Sequence, residues 1–266
     1  MYKAGLRFLK YSSVARCVSR VIRKEDSPVL PTEVMDIRFR NPVGVSARFD
    51  TFVEFPRVFS ALGCSFELIG PLSYCSKNGI RAAVNGLKRT VPTSIPVGLV
   101  ITKRAGSTTE DEIQKDYQNA FEYAYDFADM LILDFSEESI GSIHELDFIQ
   151  GITNPVLNTR LSYDSMRPVL IQLSRLLGRE ELEPILDYCL MNGVDGIVTT
   201  GGTRQVAAVN EFTRGRYPVV ALADVNNPAE AVELFDAGAS LIALDASAAG
   251  FNRSLPQKIL KSLKIK

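Results

Sequence analysis

Seven charged residues stand at or just beyond the ends of short apolar, β-branched runs: Arg48, Lys103 and Arg104 on the basic side, Asp134, Glu137, Asp224 and Asp245 on the acidic side. Opposed charge around one opening suits a small polar ligand. A carboxyl such as Glu137 could serve as a general base if desolvation raised its pKa. The other reading is a solvated rim whose charges pair with one another. Gly201-Gly202 follows a further apolar run and could aim backbone N–H groups at a phosphate; a simple tight turn accounts for the same pair. There is a single histidine, His144, so a histidine-dependent triad or a multi-histidine metal site would have to be built around it. The four cysteines (Cys17, Cys64, Cys75 and Cys189) form no CxxC pair, which points to neither a zinc site nor a redox motif. Cys64 and Cys189 read as core thiols in a reducing compartment. With 30 basic and 31 acidic residues the net charge is −1, which excludes the basic excess of a nucleic-acid-binding surface.

The runs that carry these residues recur eight times: Pro42–Ala47, Ser65–Gly70, Pro96–Thr102, Met130–Ser136, Pro168–Ser174, Gly196–Thr200, Pro218–Asp224 and Leu241–Ser247. Each has strand length and is too apolar for a sheet edge, as expected of parallel strands covered on both faces. Amphipathic stretches separate them. Thr108–Phe127 opens with a capping residue and acids, Arg179–Met191 ends at Asn192-Gly193, and Asn227-Pro228 leads into Ala229–Asp236 before Gly238. Eight strand–helix repeats in 266 residues predict an α/β fold, a (β/α)8 TIM barrel; an open doubly wound sheet is the alternative. A short extra strand, Met35–Phe39, precedes the first barrel strand and is expected to help plug the barrel floor. The expected organisation is an N-terminal helix and linker over residues 1–30 and the barrel over 31–266.

Residues 1–24 carry seven Lys or Arg and no acid, with Leu6, Leu9, Val14, Val18, Val21 and Ile22 at roughly helical spacing. A basic amphipathic helix of this kind can lie in a membrane interface; it could equally pack against the barrel floor. It is not a secretory signal, and no apolar run approaches the ~20 residues needed to span a bilayer. The expected placement is cytoplasmic, with peripheral contact at the membrane inner face through residues 1–24.

Several segments resemble a known family. Asn41-Pro42-Val43-Gly44 followed by Ala47-Arg48-Phe49-Asp50 resembles the NPVGLAAGFD segment of dihydroorotate dehydrogenases. Phe66–Gly70 resembles their FIEIGT strand, Pro96–Lys103 their PLGVNIGKN, Asp195–Thr200 their DGIIATN and Ala237–Leu241 their AGASLVQ. The basic N-terminal segment resembles part of the membrane-associating helical pair of the quinone-dependent class. The resemblance implies a barrel with FMN across the strand ends. It also implies oxidation of dihydroorotate to orotate in pyrimidine biosynthesis, with a side-chain base and a hydride passed to the flavin. Carried over by position, it places Ala47, Gly70, Lys103, Thr199, Gly201, Asp224 and Ser247 toward the cofactor. Asp134 and Asn85 fall toward the substrate, Glu137 and Lys103 at the catalytic positions, and no metal is implied.

Many of these positions depart from the family pattern. Asp134 stands for the first Asn of the family's NISSPNT run, and Glu137 for its serine base. Val100 replaces an Asn, Gln172 a Lys and Gly201 an Asn. Arg48 replaces a glycine under the flavin, and Ala221-Leu222-Ala223-Asp224 replaces the phosphate-binding GVGG. A carboxylate at Asp224 would repel a phosphate by roughly 4 kcal/mol at ~4 Å and an effective dielectric of ~20, unless Arg204 or Lys103 answers it. Three readings follow. The chain is a diverged flavoenzyme; or it is a flavin-free barrel with a binding or regulatory role; or it is a new enzyme using Glu137, Asp134 and Lys103.

Overall fold

The computed structural model describes residues 30–90, 93–140, 145–246 and 252–265. Residues 1–24, His144 and Ser247 lie outside these, as does the side chain of Glu137. A short antiparallel hairpin, β1 (Thr32–Val34) and β2 (Ile37–Phe39), comes first. The extra strand expected at Met35–Phe39 is therefore one arm of a hairpin. Its break falls at Met35-Asp36, where φ is 54° and 59°, the pair of positive angles that a two-residue hairpin turn requires.

Eight parallel strands then close a barrel: β3 (Val43–Ser46), β4 (Glu67–Leu72), β5 (Val97–Ile101), β6 (Met130–Phe135), β7 (Val169–Leu173), β8 (Gly196–Thr199), β9 (Val219–Ala223) and β10 (Leu241–Asp245), with β10 pairing back to β3. The strands are apolar throughout because inward residues fill the lumen and outward ones meet helices. Phe66, Leu68, Met130, Ile132, Leu170, Val198, Val220 and Ala243 form the lumen layer, closed from below by Val34 and Phe39 of the hairpin. Phe39 meets Phe66 edge-on at 5.4 Å between centroids. Phe66 can lie across the axis only because residue 44 is glycine: a Cβ there would stand 2.4 Å from the ring.

The outer layer contains α1 (Pro56–Ala61), α2 (Ile80–Thr90), α3 (Glu110–Ala124), α4 (Glu137–Ile140), α5 (Leu146–Arg160), α6 (Arg179–Asn192), α7 (Gly202–Thr213), α8 (Pro228–Asp236) and α9 (Leu255–Ile265). The stretch read as Thr108–Phe127 is α3, started by Thr109 in a reciprocal capping box with Glu112. Gly193 stops α6 at a φ of 79°, and Asn227 caps α8 through Ala229 N and Glu230 N. No helix of the described residues is long and apolar enough to cross a membrane.

Candidate functional site

The C-terminal ends of the strands form one rim, the face on which barrel enzymes carry their sites. Asp134, near the end of β6, is 1% exposed. Its Oδ1 accepts from Ser136 N at 2.9 Å and from Gln172 Nε2 at 2.8 Å, and its Oδ2 accepts from Ser139 Oγ. Gln172 is its register partner on β7. Burial pushes the Asp134 carboxyl above its ordinary range, while the Ser139 and Ser136 hydrogen bonds and the Arg48 charge pull it back. The two positions that depart from the family's Asn and Lys thus satisfy each other across the barrel mouth. Around them Ser46, Arg48, Gly70, Val100 and Leu222 leave a cavity of only about 10 Å³. That is room for about one water molecule, against the ~300 Å³ or more of an ordinary ligand pocket.

The turn after β8 is also internally satisfied. Thr200 N and Gly201 N both donate to Gln205 Oε1, at 3.3 and 2.9 Å, and Gln205 Nε2 donates to the Ser174 carbonyl at 2.7 Å. The N–H groups that a phosphate would need there are already used by a buried side chain of α7. Thr199 is buried, and its hydroxyl has no partner. Asp224 is exposed at the end of β9, and among the described residues neither Arg204 nor Lys103 pairs with it. FMN, the cofactor that the resemblance implies, needs a slot for its ring and free donors for its phosphate. At the mouth and in the turn after β8 the described residues, as placed, provide neither and do not fit it.

A second depression lies off the axis, between the ends of β4 and β5. It has a volume of about 430 Å³ and is bordered by Ser73, Ser76, Asn78, Lys103, Arg104 and Ser139 among others. Lys103 Nζ donates to the Ser107 carbonyl at 3.1 Å and lies 3.5 Å from that of Arg104. Arg104 is paired with Asp116, Nε to Oδ1 at 2.8 Å, and its backbone N donates to Oδ2 of the same carboxylate at 2.9 Å.

The remaining predicted positions are dispersed. Ala47 is fully buried in a cluster with Val45, Phe55 and Phe59. Glu137 begins α4 beside the mouth. Asn85 is exposed in the middle of α2 and lines neither cavity. Gly70 borders the mouth. No group of three or more His, Cys, Asp or Glu among the described residues could hold a metal ion.

Sequence reasoning missed a buried carboxyl pair. Phe66 and Leu68 point into the lumen, so Glu67 between them points outward, toward Asp50 in the loop after β3. Both are buried, Glu67 with no exposed surface. Asp50 accepts from Glu54 N at 2.7 Å and Phe55 N at 2.8 Å, while neither Glu67 oxygen has a donor facing it. The contact between them forms when Glu67 carries a proton and donates it to Asp50. Burial pushes Asp50 up to about 6; burial and the Asp50 charge hold Glu67 well above the usual carboxyl range. The signal was legible: an acid inside a strand otherwise apolar.

No family model matches the chain. It is 24% identical, over 297 aligned positions, to the dihydroorotate dehydrogenase (quinone) of Thermosynechococcus vestitus, covering 89% of this chain and 81% of that protein. It is 25% identical to the dihydroorotate dehydrogenase (quinone) of Coxiella burnetii, over 84% of this chain and 81% of that one. The crystal structure of the ligand-free DHODH of Eimeria tenella superimposes with a TM-score of 0.80 at 16% identity, covering 90% of this chain and 88% of that one. The first alignment is longer than this chain's 266 residues, so the Thermosynechococcus protein carries segments that this chain lacks. The order of motifs, the closed barrel and these likenesses agree: over most of its length the chain is similar to the quinone-type dihydroorotate dehydrogenases.

Proposed function

We propose that this chain is a dihydroorotate dehydrogenase-like barrel whose flavin seat is closed, and that it works as a small-molecule-binding protein. The observation that carries the reading is the Asp134–Gln172 hydrogen bond in a mouth of about 10 Å³. A flavin ring would have to break that bond, taking from the buried Gln172 amide its Asp134 acceptor and from the Asp134 carboxylate one of its three donors. A buried hydrogen bond left unmade costs on the order of 1–3 kcal/mol. The spent donors at Thr200 and Gly201 act in the same direction. So does Val100, which offers no polar group to a ligand ring where the family has an asparagine. The alternative is the relatives' reaction, FMN-dependent oxidation of dihydroorotate to orotate. It is favoured by similarity that runs over most of the chain.

The test is to purify the protein without added cofactor, denature it by heat and measure released flavin by fluorescence. A sample with no flavin, and with none taken up from added FMN, is the expected result. Stoichiometric FMN would overturn the reading and restore the flavoenzyme, with Glu137 as base and Lys103 near the flavin. Glu137→Gln should then abolish dihydroorotate oxidation.

A further inference from the structure

We propose that the off-axis depression between the ends of β4 and β5 is a binding site for a phosphate group, with Lys103 supplying the charge that holds it. This rests on the small-molecule-binding reading above and names its ligand class.

Among the described residues the lining of the depression contains no carboxylate. Of its two cations, Arg104 is neutralised by Asp116, which is buried and takes both the Arg104 side chain and its backbone N–H. Among the described residues Lys103 has no such partner. Its two contacts are with backbone carbonyls of its own loop; these orient the ammonium and leave its charge uncompensated. An ammonium has three N–H donors, so one at least is available to a ligand.

Facing it, from the loop after β4, are Ser73, Ser76 and Asn78. All three border the depression, and their side chains spend no hydrogen bond among the described residues. Donors therefore converge from two loops on one space, and a phosphate, with three or four acceptor oxygens, can use more of them than a two-oxygen carboxylate. Asn78 and Gly79, at the pocket edge, lead directly into α2, whose first turn has no acidic residue. The positive end of the helix adds to the field of Lys103 without being needed for it. The volume of about 430 Å³ admits a phosphate on a small organic group and lies toward the lower end of ordinary ligand pockets. Ser139 forms the far wall while donating to Asp134, so the pocket abuts the closed mouth and does not require it to open.

The test is calorimetric titration of the full chain with inorganic phosphate and, separately, glycerol 3-phosphate. Lys103→Met is compared with Lys258→Met, a control that removes one exposed cation elsewhere; thermal melts confirm that both variants fold. Saturable binding at one site is expected. It should weaken by roughly ten- to a hundredfold in Lys103→Met, the value of a charge-assisted hydrogen bond, and remain unchanged in Lys258→Met. Tighter binding of the ester identifies a phosphorylated metabolite, and equal binding identifies the free ion. Absence of saturation, or equal weakening by the two variants, would overturn the proposal. Flavin content is read separately in the same preparation, so failure here and failure of the flavin-free reading are distinguishable.

Discussion

Glu67→Gln should make the protein less sensitive to pH, in a predictable direction. Burial and Asp50 hold the Glu67 pKa in the fold well above the ordinary 4.5, so as pH rises past 4.5 the folded protein keeps a proton that the unfolded chain releases. Folding must therefore take up a proton, at about 1.36 kcal/mol for each pH unit above the unfolded pKa. A raised pKa in the fold means stability that is fully present below the unfolded value and lost as pH rises toward the folded one. Glutamine never titrates and abolishes that loss. Denaturant-unfolding free energies of the wild type and Glu67→Gln should thus diverge as pH rises above 4.5, by up to about 1.36 kcal/mol per pH unit, with the variant the less affected. The extra amide N–H of glutamine adds a constant cost that moves the whole curve and leaves the divergence intact. Asp50, pushed up to about 6 from 3.8, adds a slope of the same sign to both proteins between those values. Parallel curves would refute the reasoning, since they would mean that Glu67 is charged in the folded state.

Four further outcomes are expected. Gly44→Ala places a Cβ 2.4 Å from the Phe66 ring, which Phe39 already confines; overpacking of about 1–3 kcal/mol should lower the melting temperature by several degrees. Thr109→Ala removes the α3 capping box and should cost about 1 kcal/mol in denaturant unfolding. Gln205→Ala strips the partner from Thr200 N and Gly201 N; amide exchange at these two residues should quicken, and about 1–3 kcal/mol of stability should be lost. Co-sedimentation with anionic vesicles should require residues 1–24 if their basic apolar face meets lipid; equal sedimentation of the full chain and of a chain lacking them would remove the membrane contact.

The barrel was legible because its signal is repetitive. Seven of the eight strands fall within the apolar run read from the sequence, for example β6 at Met130–Phe135 within Met130–Ser136; β4 continues past its run, Ser65–Gly70, to Leu72. The local chemistry of Thr109, Gly193 and Asn227 marks where helices begin and end, since each acts on the backbone within a few residues. Hairpin pairing at Met35-Asp36 was missed, because neither residue is the Asn or Gly that usually marks such a turn.

The site was less legible. Asp134 and Gln172 read as two separate losses from the family's pattern; in the fold they are register partners joined by a hydrogen bond, and two losses become one closed mouth. Gln205 carries no motif, yet it occupies the donors of the β8 turn from four and five residues away. Arg104 and Lys103 are adjacent in sequence and look equivalent, but only the first meets Asp116. By itself the sequence determined the fold class, the family likeness and the strand ends where charge collects, because hydrophobic period and local capping are properties of neighbouring residues. Which polar groups cancel and which remain available was decided by tertiary structure alone. Pairing depends on atoms brought within 3 Å from different strands and loops, and one-dimensional spacing carries no measure of that distance.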